Sequence, residues 1–249
     1  MRYAILMWGN TRMIVLSATC AAIYAATLLA FKTAIPLIPG ITEVRVANVF
    51  PMAFGIMFGP AAAWGLAIGN LIGDIFGGTL GPGSIAGFFG NFLLGYIPYV
   101  MWTNFFPLSP PFYVWDRKKP RHWVNFMVIN FVSSACCAIV ISTFLDFLGL
   151  VPYPVLSKII TINDTIGGII SVFLLIAVYE TVKKQLGLIW IDVMMLEEKN
   201  KRSPLKTVGC YILLFASILG IFGPHILPLS YLHAGAIASA LIIVGTFIL

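Results

Sequence analysis

The sequence predicts an all-α fold: a polytopic integral membrane helical bundle. Two observations predict it. Of the 249 residues, 60% are hydrophobic and only 10% are charged, where a soluble domain of this size carries about a quarter. Such a chain cannot cover a water-facing surface, so its solvent is lipid. In lipid, only helices and closed barrels satisfy the backbone. The apolar runs are continuous rather than alternating with period two, which excludes a barrel.

A spanning helix needs about 20 mostly apolar residues, and eight candidates follow in order. The first is 13–31, bracketed by Arg12 and Lys32. No small-residue cleavage site follows it, so it reads as a retained span rather than a signal peptide. The second, 46–58, is short, carries Pro51 and can extend back to Thr42. Gly59-Pro60 forms a turn into the third, 61–77. A glycine-rich loop, 77–83, precedes the fourth, about 85–105. A polar loop, 106–123, leads to the fifth, 124–148, and the sixth covers 159–181. Residues 182–206 are charged and partly amphipathic, and the last two spans are 207–222 and 231–249.

Eight crossings put both termini on one side. That side collects Arg2, Arg12, Arg117, Lys118, Lys119, Arg121, Lys183, Lys184, Lys199, Lys201, Arg202 and Lys206, against Lys32, Arg45 and Lys158 on the other. Cytoplasmic loops are enriched in Lys and Arg, so the expectation is a multi-pass protein of the cell membrane with both termini in the cytoplasm. The net charge of +6 reads as orientation rather than nucleic-acid binding, since no soluble basic module is present. Trp102, Trp115, Trp123 and Trp190 fall near the expected interfaces, as aromatic belts do.

Helices in lipid gain little hydrophobic energy from meeting, so small residues that admit close approach mark their contacts. Ala18, Ala22 and Ala26 recur every four residues on the first span, and Gly65, Gly69, Gly73 and Gly77 do so on the third. The glycine ladder reads as packing within the bundle. The alanine ladder suits either an internal neighbour or an external partner.

Charges inside a span are costly and mark pathways or sites unless they sit near an end. Glu43, Asp74, Asp146, Asp164 and Arg45 lie toward the expected outer side, with Asn48, Asn70, Asn91, Asn163 and Tyr153. An outward-open cavity lined by such groups suits a small polar aromatic molecule. The candidate binding residues are Glu43, Arg45, Asn48, Asn70, Asp74, Asn91, Tyr153, Asn163 and Asp164. Blander roles remain open: Asn163 and Asp164 can cap the sixth helix, Arg45 and Asp74 can pair with each other, and Asp146 and Lys158 can simply bound their spans. Cys20, Cys136, Cys137 and Cys210 lie in apolar runs without CxxC spacing, as buried reduced thiols do. No metal site, cofactor motif, GxxxxGK[ST] loop or catalytic signature is legible.

Three segments carry a resemblance. They are the run Ala18-Thr19-Cys20-Ala21-Ala22-Ile23-Tyr24-Ala25-Ala26, the run Glu43 to Pro51 followed by Gly55 and Gly59-Pro60, and the run Gly65 to Asp74. They resemble the substrate-binding subunits of energy-coupling factor (ECF) transporters, nearest the queuosine-precursor-type branch, over about residues 13–186. The resemblance implies a six-helix S-component-like core that binds a vitamin-like micronutrient from outside. It further implies a transmembrane coupling protein, docked through Ala18, Ala22 and Ala26, and two ATPase subunits. The organisation expected is a core over 1–186, a charged cytoplasmic connector over 187–206 and two additional spans over 207–249. Two features depart from the family: those extra spans, and Asn48 where the queuosine-type branch would carry an acid.

The function expected is therefore micronutrient capture for ATP-driven uptake, not enzymatic turnover. A stand-alone ion-coupled carrier is an alternative, as is an intramembrane enzyme acting on a lipid-soluble substrate through a pair such as Asp74 and Asp164. No internal repeat of the kind that ion-coupled carriers show is evident.

Overall fold

The computed structural model describes residues 1–31, 36–38, 42–43, 45–197 and 203–249, with 36–38 and 42–43 described through their backbone. Lys32, Lys199, Lys201 and Arg202 lie outside the described residues, as does the side chain of Glu43.

Prolines set five of the ten α-helix starts among the described residues. The ring lacks an N–H, and at the first helical position that donor would be orphaned anyway. Accordingly α3 begins at Pro51 (Pro51–Phe58), α4 at Pro60 (Pro60–Phe76), α5 at Pro82 (Pro82–Asn104), α6 at Pro120 (Pro120–Phe147) and α9 at Pro204 (Pro204–Ile226). The other helices are α1 (Arg2–Leu6), α2 (Thr11–Phe31), α7 (Tyr153–Glu180, prolonged by a π turn, Thr181–Gln185), α8 (Trp190–Val193) and α10 (Tyr231–Ile248). Between α2 and α3 lie two short antiparallel strands, β1 (Pro36–Ile38) and β2 (Thr42–Glu43), with Pro36 opposite Glu43. The all-α membrane bundle predicted from the sequence is the fold, and this small hairpin is its one addition among the described residues.

Among the described residues six helices are long and apolar enough to cross a membrane, and α4 is a shorter apolar helix. The expected span over 46–58 is different. It is a 3-10 turn, Val46–Val49, followed by the eight residues of α3, which rise only about 12 Å. Pro51 opens the helix and Gly59, at φ +54°, ends it. Residues 51–57 are all buried, enclosed by α4, α5 and α7. Broken backbone at membrane depth is tolerated where protein, not lipid, surrounds it. A side chain at Gly59 is excluded twice over, because an added Cβ would also sit 2.5 Å from the Trp190 ring.

The core is a chain of neighbours. Helix α2 lies along α4, α4 along α5, α5 along α6 and α6 along α7. The glycine ladder of α4 makes the first contact. A Cβ on Gly65 would meet Cys20 Cβ at 2.5 Å, and one on Gly69 would meet the Ala21 carbonyl oxygen at 2.8 Å. The α9–α10 hairpin packs chiefly on α6. A Cβ on Gly220 would meet Ile139 Cδ1 at 2.4 Å, and Ser239 Oγ donates to Thr143 Oγ1 at 3.3 Å. Within the connector, Ile189, Trp190, Ile191 and Val193 are buried in the core. Outward faces carry large apolar side chains such as Phe173, Phe215 and Phe247, 70%, 59% and 69% exposed. In water such a surface would aggregate. In a bilayer it is the solvated side.

Candidate binding site

Five elements bring polar side chains together at one end of the bundle, the end away from the 105–119 loop. Helix α2 contributes Tyr24, the 3-10 turn Asn48, α4 Asn70 and Asp74, α5 Asn91, and α7 Asn163 and Asp164. Arg45 precedes the 3-10 turn. The turn rests directly on α7 because Gly167 has no side chain, and a Cβ there would meet Asn48 Cβ at 2.5 Å.

The contacts form two linked chains. In the first, Asn91 Nδ2 donates to the Gly87 carbonyl at 2.8 Å, which fixes the amide so that its Oδ1 faces Tyr24. The Tyr24 hydroxyl donates toward Asn91 Oδ1 at 2.8 Å and Asn48 Oδ1 at 3.2 Å, sharing its single proton between them. Asn48 Nδ2 in turn donates to Asp164 Oδ1 at 2.5 Å. In the second chain, Arg45 Nη1 donates to Asn70 Oδ1 at 3.1 Å. Asn70 Nδ2 donates to Asp74 Oδ2 at 3.3 Å, and Thr79 Oγ1 donates to Asp74 Oδ1 at 3.2 Å. The Arg45 backbone N–H donates to Asn163 Oδ1 at 3.4 Å. Arg45 also interacts electrostatically with Asp164, which joins the two chains.

Tyr24, Asn48, Asn70, Asn91 and Asp164 are all buried. Asp164 Oδ2 is buried and makes no hydrogen bond of good geometry among the described residues, with the buried Cys137 thiol beside the carboxylate. A carboxylate oxygen left unmatched in low dielectric is costly, and a donor delivered by a bound molecule would remove that cost. Among the described residues no three His, Cys, Asp or Glu side chains gather as a metal ion would require.

Of the nine sequence-derived candidates, the structure brings Arg45, Asn48, Asn70, Asp74, Asn91, Asn163 and Asp164 into one network. The side chain of Glu43 lies outside the described residues. Tyr153 stands apart: its hydroxyl donates to the Gly220 carbonyl at 2.9 Å, and its ring packs on Gly235 of the hairpin. Tyr24 joins the network although sequence reading passed over it. It sits on the α2 face that meets α4, and the available signal was a lone hydroxyl within an alanine-rich run. Asp164 lies well inside α7, so it does not cap that helix. Asn70 connects Arg45 to Asp74.

The opposite face of α2 differs. Ala18, Ala22 and Ala26 are exposed, whereas Ser17, Cys20, Ala21, Tyr24, Ala25 and Leu28 are buried. Two interleaved small-residue stripes thus serve two surfaces, one filled by α4 and one open.

A family model described as QueT transporter matches residues 14–184. No curated protein and no solved structure matches.

Proposed function

The chain belongs to the QueT transporter family, a family of the ECF substrate-binding, queuosine-precursor type, and on that premise we propose that it captures a vitamin-like micronutrient from outside the cell for ATP-driven uptake with partner subunits. The observation that carries this reading is the buried network around Asp164. Eight side chains from five segments converge there, and one carboxylate oxygen is left without a donor among the described residues.

In this reading Asp164 accepts a hydrogen bond from the ligand, and Arg45 holds the charge balance. The amides of Asn48, Asn70 and Asn91 present donors and acceptors in fixed orientation. Asn48 stands where an acid is expected in this branch, and it touches Asp164, so α7 supplies a carboxylate at that place. The cationic loops face the cytoplasm by the positive-inside bias, which turns the network outward. The exposed stripe of Ala18, Ala22 and Ala26 docks the transmembrane coupling protein, and two ATPases supply the energy. The α9–α10 hairpin leaves that stripe open because it packs on α6, not on α2.

The test is native mass spectrometry of gently purified protein, seeking a co-purified small molecule, followed by equilibrium binding of a queuosine-precursor base. Asp164→Asn and Arg45→Ala should each weaken binding while the protein stays monodisperse. Unchanged affinity in both variants would remove the network from the site.

A further inference from the structure

The other end of the bundle holds a second feature that the transport reading does not use. A cavity of about 640 Å³ opens there between the core and the α9–α10 hairpin, within the usual range of small-molecule sites, about 300–1,000 Å³. One wall is aromatic. Tyr99 and Tyr113 each meet the Trp190 ring edge-on, with centroids 5.3 Å apart. Trp190 is 5% exposed, and among the described residues its Nε1–H makes no hydrogen bond of good geometry, with Tyr113 beside it.

The rim carries Arg2 and Lys206, with Glu197 beside them. Neither cation makes an ion pair among the described residues. The remaining wall includes Phe247 and Ile248 at the end of α10. Phe247 is 69% exposed on the outward apolar surface. The cavity therefore runs from a cationic rim to the side of the bundle that faces lipid. A free anion would use only the rim, whereas an amphiphile uses both.

We propose that this cavity is a binding site for an anionic membrane phospholipid, its phosphate held by Arg2 and Lys206 and an acyl chain lying along Phe247 and Ile248. Basic pockets between spanning helices take anionic headgroups in this manner. The Trp190 N–H supplies a neutral donor within the same cavity, and aromatic side chains favour the headgroup depth. Lys206 belongs to α9, Phe247 to α10, and Arg2 and Trp190 to the core, so the site exists only where the hairpin meets the six-helix unit. The lipid bridges the two parts at this end, beside the Thr207 hydroxyl that donates to the Asn104 carbonyl at 3.2 Å.

The test uses the full chain, delipidated in detergent and offered equal phosphatidylglycerol and phosphatidylcholine of matched acyl chains, with retained lipid read by native mass spectrometry. Phosphatidylglycerol should be retained over phosphatidylcholine. Arg2→Gln with Lys206→Gln should lower that retention about tenfold or more, from the loss of two cation–headgroup contacts. Lys183→Gln with Lys184→Gln, which removes two cations from the same end, should leave it unchanged. Thr103→Trp, filling the cavity with its charges intact, should also lower retention. Equal losses in both double variants, or retention unchanged in the first and in Thr103→Trp, would overturn the proposal. So would displacement of the lipid by inorganic phosphate alone, which would assign the site to a free anion.

Discussion

The two ends of this bundle handle polarity in opposite ways. At one end, short neutral amides and a tyrosine surround Asp164 and reach Arg45 with little access to solvent. At the other, Arg2 and Lys206, with Glu197, line a cavity of about 640 Å³ that also has an aromatic wall. The difference follows from cost. A charge at membrane depth must be surrounded by matched partners, while one at the interface reaches water or headgroups by its own length. A network that leaves a buried carboxylate oxygen unmatched among the described residues is suited to recognition. A rim where Arg2 and Lys206 make no ion pair among the described residues is suited to attraction.

That contrast can be broken most severely from α2, because α2 brings Tyr24 into the buried network. Gly69→Leu would force a side chain against the Ala21 carbonyl, where even a Cβ comes to 2.8 Å. Overpacking of this kind costs about 1–3 kcal/mol or more. We expect loss of monodisperse protein on size exclusion and a lowered melting temperature. A variant as stable as the parent would mean that the α2–α4 contact yields more readily than its geometry implies.

The next largest effect belongs to Asp164. Asp164→Asn keeps the shape and an acceptor for Asn48 but removes the charge facing Arg45 and turns the second carboxylate oxygen into an N–H donor. Losing a charge-assisted hydrogen bond is worth about 1.5–3 kcal/mol, so ligand affinity should fall about tenfold or more by isothermal titration. The same substitution should leave phospholipid retention at the other end unchanged. Coupled loss at both ends would show that the two are not separate sites.

Ala22→Leu sharpens the contrast differently. Ala22 is exposed on α2, away from both ends' binding groups. Ligand affinity of the isolated chain should hold, while uptake in cells with the coupling subunits should drop several-fold. Unimpaired uptake would release the alanine stripe from its docking role.

Tyr153→Phe should have the smallest effect. It removes one hydrogen bond to the Gly220 carbonyl, and interhelical hydrogen bonds in membranes average about 0.6 kcal/mol. A slight fall in melting temperature is expected, with ligand affinity unchanged. A tenfold affinity loss would return Tyr153 to the binding site.

Composition and hydropathy alone specify the class of this protein and the approximate positions of its long helices. Solvent preference is a sum over residues, and the expected bounds at 61, 85, 124 and 207 fall one to four residues inside the starts that Pro60, Pro82, Pro120 and Pro204 set. The sequence also locates seven of the binding candidates at one depth, since rise per residue converts position into height. Rotation about the helix axis is what height leaves open. Packing across the bundle turns Tyr24 inward and Ala22 outward, turns Tyr153 to the hairpin, and leaves 46–58 a broken segment walled in by α4, α5 and α7. Those outcomes depend on which small residues let which helices approach. At Gly65, Gly69, Gly167 and Gly220 the partner is chosen by shape across the bundle, and no single segment carries that information alone.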